Sequence, residues 1–455
     1  MTNMRNNIFN WIKLLSFIFA LSSLFASCSN ELDDTLQPVE NGTLQFVVSD
    51  FPAFGESGPT RAIGTPDEGK TAWEKDDQII VTLTSQKYGE QAAALTYDGS
   101  SWSTEASLSY LENETPIVSV FYAPCYEVTE EGTMQLRSGM QLGMTEYLYG
   151  NYEMENGIMT ITFEGAIRDY SRLRIATMPE ATLIVTTTDF TPAGATSEAT
   201  EAYTLTADDK GNAYLYGVFA EGATVSVKKG DVTLADYTFA EATEAMYGYA
   251  LDARPVIDGT LGGKATATEE ELAAMVELLK SYIENGLTTI IVTGNNQAKL
   301  LMSGYLTPIV SLAFEQLTYV YQDEKNDSYW GTVDLIYQDV TEIVEYEFYC
   351  CDVLKSITLP KVTTVGDSGF WACYYLETLT FGSVVTTIND NSGEVFFDLG
   401  YQIGGCHLVL NKDQGNVEGL APDLANNTWA GYTWKSITLT HTYENMECDE
   451  CKALQ

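Results

Sequence analysis

Part of this chain repeats every 22 residues, and nothing else in the sequence restricts its fold as tightly. Ile343 matches Val365, Phe348 matches Phe370, Cys351 matches Cys373 and Leu354 matches Leu376. Ile357 then matches Leu379, and Leu359 matches Phe381. Apolar positions held in register across one period mark copies of a single structural unit. A unit this short cannot bury its apolar residues alone, so neighbours must stack into a solenoid with one short strand per turn. The third turn is irregular. Val385-Thr386-Thr387-Ile388 restarts it, and Phe396-Phe397 supplies its aromatic after an insertion. Thr433-Trp434-Lys435-Ser436-Ile437-Thr438-Leu439 echoes Val353-Leu354-Lys355-Ser356-Ile357-Thr358-Leu359 and reads as the closing strand.

Just upstream, residues 269–285 have helical spacing. Leu272, Met275, Val276, Leu279 and Ile283 share one face, and Glu270, Glu271, Glu277 and Lys280 lie opposite. Thr268 is a suitable N-cap and Gly286 a stop. The run Thr288–Val292 reads as a buried strand after it. Residues 43–258 have a different texture. Short alternating runs rich in β-branched residues recur, among them Gln78–Leu83, Ile117–Tyr122, Ile158–Phe163, Arg172–Ala176 and Ala223–Val227. Turn pairs such as Asp98-Gly99, Asn156-Gly157 and Glu221-Gly222 separate them. That pattern predicts β-sandwiches, and its length predicts two of them, divided near residue 166.

The N-terminus carries Arg5 and Lys13, an apolar run from Leu14 to Leu21, and then Leu24-Phe25-Ala26-Ser27-Cys28. A basic start, a short apolar core and small residues before a cut define a secretory signal, and this run is short for a membrane span. The pair Ala26-Ser27 before Cys28 resembles the lipobox of bacterial lipoproteins, with Phe25 where a Leu is usual. The resemblance implies lipidation at Cys28. The following Ser-Asn-Glu-Leu-Asp-Asp-Thr is similar to the acidic export signals of Bacteroidetes surface lipoproteins.

Charge and residue usage exclude several functions. With 64 acidic and 23 basic residues, the net charge is −41, which repels nucleic acid. The only histidines are His407 and His441, and neither lies in a catalytic or zinc-binding frame. No enzyme activity, cofactor or metal is expected. Asn389–Glu394 lacks the spacing of a calcium loop, and Cys448-Asp-Glu-Cys451 reads as a small disulfide or tail thiols. Cys351 and Cys373, at equivalent repeat positions, read as stacked core thiols.

Two family resemblances complete the reading. Thr71–Ile79 with Trp73, Tyr97–Trp102, Phe121–Pro124 and Ser171–Ile175 resemble, in order, motifs of the fimbrillin-like proteins of Bacteroidetes, although Asp76 stands where Gly is usual. Phe348–Pro360 and Phe370–Phe381 resemble BspA-like leucine-rich repeats, in which an aromatic, a Cys and a Leu precede a short strand. These resemblances imply a mainly β protein with two tandem transthyretin-like sandwiches, followed by a short leucine-rich solenoid with a helical cap. The expected boundaries are a signal peptide at 1–27, an acidic tether at 28–42, and sandwiches at 43–165 and 166–260. The repeat domain is expected at 264–445 and a tail at 446–455. The implied role is that of an adhesin, lipid-anchored on the outer membrane and exposed at the cell surface, binding host or matrix protein or glycan. A fimbrial tip or accessory subunit built by donor-strand exchange and a glycan-capture lipoprotein are the alternatives. Trp371, Tyr374 and Tyr375 are the candidate contact residues, because exposed aromatics suit such recognition. Arg61, in the turn-like Gly58-Pro59-Thr60-Arg61-Ala62, is a candidate processing site: cutting after an Arg near here opens a donor-strand groove in polymerising fimbrillins.

Overall fold

The computed structural model describes residues 45–440 except 53–69, 112–113, 156–157, 164–167, 196–201, 296–297, 303 and 324–328. Cys28, Arg61, His441, Cys448 and Cys451 lie outside the described residues. The described chain is mainly β, with two α-helices.

In the first unit seven strands are joined by hydrogen bonds into one sheet, beside a separate hairpin of Tyr126–Val128 and Met134–Leu136. Leu148–Glu155 makes the sheet continuous. Its first residues, Leu148 to Gly150, pair with Ile117–Tyr122, and the rest, from Asn151, pairs with Ile158–Thr162. One strand thus serves two neighbours in succession, and the strands share a single core that includes Phe51, Ile79, Val81, Val120, Ile161 and Phe163. Trp73 anchors it: its indole N–H donates to Ser49 O at 2.8 Å, and its ring meets Trp102 edge-on at 4.9 Å. Asp76 has φ 73°, the left-handed region that favours Gly.

In the second unit, two four-stranded sheets share one core. The strand Thr182–Thr187 alternates exposed and buried residues without a break, so one face is core. Phe190, Phe219 and Phe239 stack through it at 4.4 and 4.5 Å.

The third unit is built on a sheet of seven parallel strands. In order these are Val256–Asp258, Thr289–Thr293, Val333–Tyr337, Leu354–Leu359, Thr378–Phe381, His407–Asn411 and Ser436–Thr440. The repeat register is visible in the pairing. Ile357 faces Leu379 and Leu359 faces Phe381, while Ile343 faces Val365 in a second, three-stranded ladder. Beyond it, Leu379 faces Leu408 and Leu408 faces Ile437, so the insertion is absorbed between the strands and the columns continue. The phenyl rings of Phe348, Phe370 and Phe396 stack nearly parallel, 5.5 and 5.7 Å apart. Strand Val256–Asp258 belongs to this sheet although the expected sandwich ran to residue 260, because Ile257 is buried in the solenoid core.

The helix Glu269–Glu284 starts at a complete capping box between Thr268 and Glu271. A second helix, Ile309–Asp323, and the hairpin Lys299–Pro308 before it were not expected from the sequence. Both helices bury their apolar faces in the solenoid core. At the far end, Gln414 stands in for a missing strand: its amide accepts from Val385 N–H at 2.8 Å and donates to Val385 O at 2.9 Å.

Candidate functional site

The repeat builds a row of aromatic rings on one face of the solenoid. Tyr346 and Cys350 both have left-handed backbones, φ 56° and 52°, and their equivalents Ser368 and Ala372 have φ 52° and 60°. Left-handed non-glycine residues cost of order 1–3 kcal/mol each and are kept only where the surroundings fix them. They bracket a segment in which Phe348 and Phe370 turn inward and are fully buried, while Tyr349 and Trp371, one residue later, are half-buried. The rings of Tyr349 and Trp371 lie 5.2 Å apart, and Tyr346 is 6.2 Å from Trp371. Tyr305, from the hairpin, extends the row at 5.2 Å from Tyr346. On the other side, Ala372 N–H donates to Phe397 O at 3.0 Å, which brings in the next turn. There Phe397 is 48% exposed and Tyr401 68% exposed.

Carboxylates edge this row. Asp352 accepts from Tyr374 N–H at 2.9 Å, and burial pushes its carboxyl up to about 6 against that hydrogen bond. Glu315, on the second helix, is raised above its ordinary value by burial. The Tyr319 hydroxyl is raised by burial and then by the negative charge of Glu315, and Tyr374 by burial and then by Cys350, Asp398 and Asp352. Tyr349 is pushed up to about 12, first by its hydrogen bond with Cys350.

Of the expected contact residues, Trp371 sits at the centre of the row. Tyr374 lies beside Asp352 at its edge, and Tyr375 instead packs on Trp330 at 5.2 Å. Sequence reasoning missed Tyr305 and Tyr319, which the hairpin and second helix deliver. Other sequence features have structural partners. His407 Nδ1 is 2.6 Å from Ser436 Oγ between adjacent strands. The loop Asn389–Glu394 is tied down by Ser392, which donates to Asp367 at 2.6 Å, and by Tyr432, which donates to Asp390 at 3.0 Å. Cys351 and Cys373 are buried free thiols in successive turns. Elsewhere, the second unit holds a cavity of about 220 Å³ between the edge strands Val232–Thr238 and Gly248–Asp252, lined by Leu173, Val225, Phe239 and Leu251.

The repeat geometry agrees with a family comparison. Residues 332–396 match the BspA type leucine-rich repeat region in six copies. These turns are similar to BspA-type repeats. The match includes Tyr346, Tyr349 and Trp371 of the aromatic row and ends at Phe396, beside the exposed Phe397. Two solved structures align with parts of the chain. One is a candidate cell adhesion protein from Bacteroides fragilis, 10% identical, with a TM-score of 0.26 over 46% of this chain and 92% of that one. The other is the fimbrial anchor protein Mfa2 from Porphyromonas gingivalis, also 10% identical, with a TM-score of 0.19 over 38% and 78%. No curated protein matches the chain.

Proposed function

We propose that this chain is a cell-surface lipoprotein, anchored in the outer membrane through Cys28, that adheres through the aromatic face of its BspA-type repeats. The two N-terminal units act as a stalk. The observation that carries the reading is the row Tyr305, Tyr346, Tyr349 and Trp371, in which Tyr349 and Trp371 occupy equivalent positions of successive turns, each next to a left-handed residue. Strain kept at equivalent positions of a repeat argues that the ring placement is selected, and aromatic rows offer large contact area at low entropy cost. The role is binding, and no catalytic step is assigned. Adherence of cells to immobilised host matrix protein and glycan is the test. The Trp371→Ala variant should reach the surface at the wild-type level and lose most adherence. Unchanged adherence contradicts the proposal.

The open side of the second unit favours one alternative, a fimbrial tip or accessory subunit. Its cavity lies between two strand edges and is lined with apolar residues, as a groove for a neighbour's strand would be. Cleavage after Arg61 would accompany that route. Oligomer ladders on unheated gels would support it, and an intact N-terminus on surface-purified monomer would count against it.

A further inference from the structure

The solenoid separates its charges by side. In the BspA-type repeats and the turns after them, the lysines are Lys355, Lys361, Lys412 and Lys435, and there is no arginine. Each is on a strand of the long parallel sheet or within two residues of one. The stretches that carry the aromatic row, from Val340 to Val353, Val362 to Leu376 and Gly382 to Cys406, hold no Lys or Arg at all. They do hold acids, including Glu345, Asp352, Glu394 and Asp398. The second helix, Ile309–Asp323, adds Glu315 to the same edge and also lacks a basic residue. Among the described residues, neither Glu315 nor Asp352 makes an ion pair, although both are partly withdrawn from water. The acids that are paired in the repeats point elsewhere: Lys361 reaches Asp339 at 2.8 Å beside the sheet.

The face therefore combines half-buried rings with two carboxylates, Glu315 and Asp352, that make no ion pair among the described residues; Lys299, on the hairpin that carries Tyr305, acts on the buried Glu347 instead. Partly dehydrated carboxylates are costly until a positive group meets them, and a ring face attracts a cation within about 6 Å. From this complementarity we infer that the face receives a cationic polypeptide segment, whose Arg or Lys side chains stack on Tyr349, Trp371 and their neighbours and pair with Glu315 and Asp352. The inference rests on the proposed adhesive role and names the partner's chemistry. An extended basic chain suits the row, because Tyr349 and Trp371 lie on successive turns and Tyr346 and Tyr305 continue the line. The net charge of −41 would also steer such a partner to the molecule. Acidic glycans and nucleic acid are repelled by the same field. A neutral glycan would use the rings but would leave both carboxylates without a cation.

The test uses the full chain and labelled octa-arginine and octa-lysine peptides, with binding read by fluorescence anisotropy at 0.15 M salt, a concentration of order the physiological one. Trp371→Ala should weaken binding about tenfold, between the scale of an exposed and of a desolvated cation–π contact. Glu315→Gln with Asp352→Asn should weaken it comparably. Those changes are isosteric, so the fold is kept even if Trp371→Ala loosens the turn. A charge-matched control on the first unit, Glu130→Gln with Glu131→Gln, should leave binding unchanged. Equal loss in both double variants would mean diffuse charge attraction only and would overturn the inference. So would binding insensitive to Trp371→Ala and Glu315→Gln/Asp352→Asn alike. Binding to a neutral-glycan array that Trp371→Ala abolishes, with no response to the peptides, would overturn the cationic partner while leaving the adhesive role intact. Failure of the adhesive role would register separately, as cell adherence indifferent to Trp371→Ala.

Discussion

At the residue scale, the repeat's interior is set by groups that have no freedom to change. Phe370 is fully buried between Phe348 and Phe396, so Phe370→Ala should cost about 3–5 kcal/mol and lower the unfolding midpoint of the solenoid. Glu347 is also buried, and burial pushes its carboxyl up to about 7 despite the hydrogen bond from Val344 N–H at 2.7 Å. An acid raised on folding binds its proton more tightly in the native state. Its effect on stability is nil below the unfolded value near 4.5 and becomes destabilising as pH rises to about 7. The loss amounts to roughly 3 kcal/mol. Glu347→Gln should therefore raise the midpoint at pH 8 and not at pH 4.5, measured by thermal melts across that range; a gain independent of pH would contradict the assignment. Burial holds Cys351 and Cys373 well above the ordinary thiol value and pushes Cys406 up to about 12. These thiols should react with a disulfide reagent roughly a hundredfold or more slowly in the native protein than after unfolding. The position of Trp371 was legible because it follows a core Phe by one residue. The row's extension to Tyr305 was not, since only the hairpin's docking brings that ring to Tyr346.

At the scale of elements, legibility followed periodicity. Six matched apolar positions specified the strand register between Leu354–Leu359 and Thr378–Phe381, and the closing strand was readable from its echo of the first. The second helix was missed because Ile309, Val310, Leu312, Ala313, Phe314 and Leu317 are all buried, which leaves little polar contrast to reveal a helical face. That Leu148–Glu155 serves two neighbours was not legible, because alternation reports which side of a strand is covered, not which neighbour it pairs with. Strand Val256–Asp258 is too short to carry a pattern at all. The irregular third turn depends on Gln414, which completes the bonding of Val385 where no strand lies alongside. Gln414→Ala would leave Val385's buried backbone groups unpaired, a cost of about 1–3 kcal/mol. Hydrogen exchange should localise the loosening to that end of the sheet, and protection there equal to wild type would refute this role.

For the whole molecule, two mainly β units precede a solenoid in which the repeat lysines lie on or beside the long sheet, while its turn side carries rings and acids. The binding reading needs that turn side to face the medium, and so does the cationic partner. The most direct test is protease shaving of intact cells that produce the wild-type chain or the Cys28→Ala variant, followed by detection of the solenoid. The account predicts that shaving removes the solenoid from wild-type cells, and that the Cys28→Ala protein is lost from the membrane fraction. A solenoid protected in intact cells and digested only after lysis would contradict it, because an adhesive face inside the envelope has no host surface to meet.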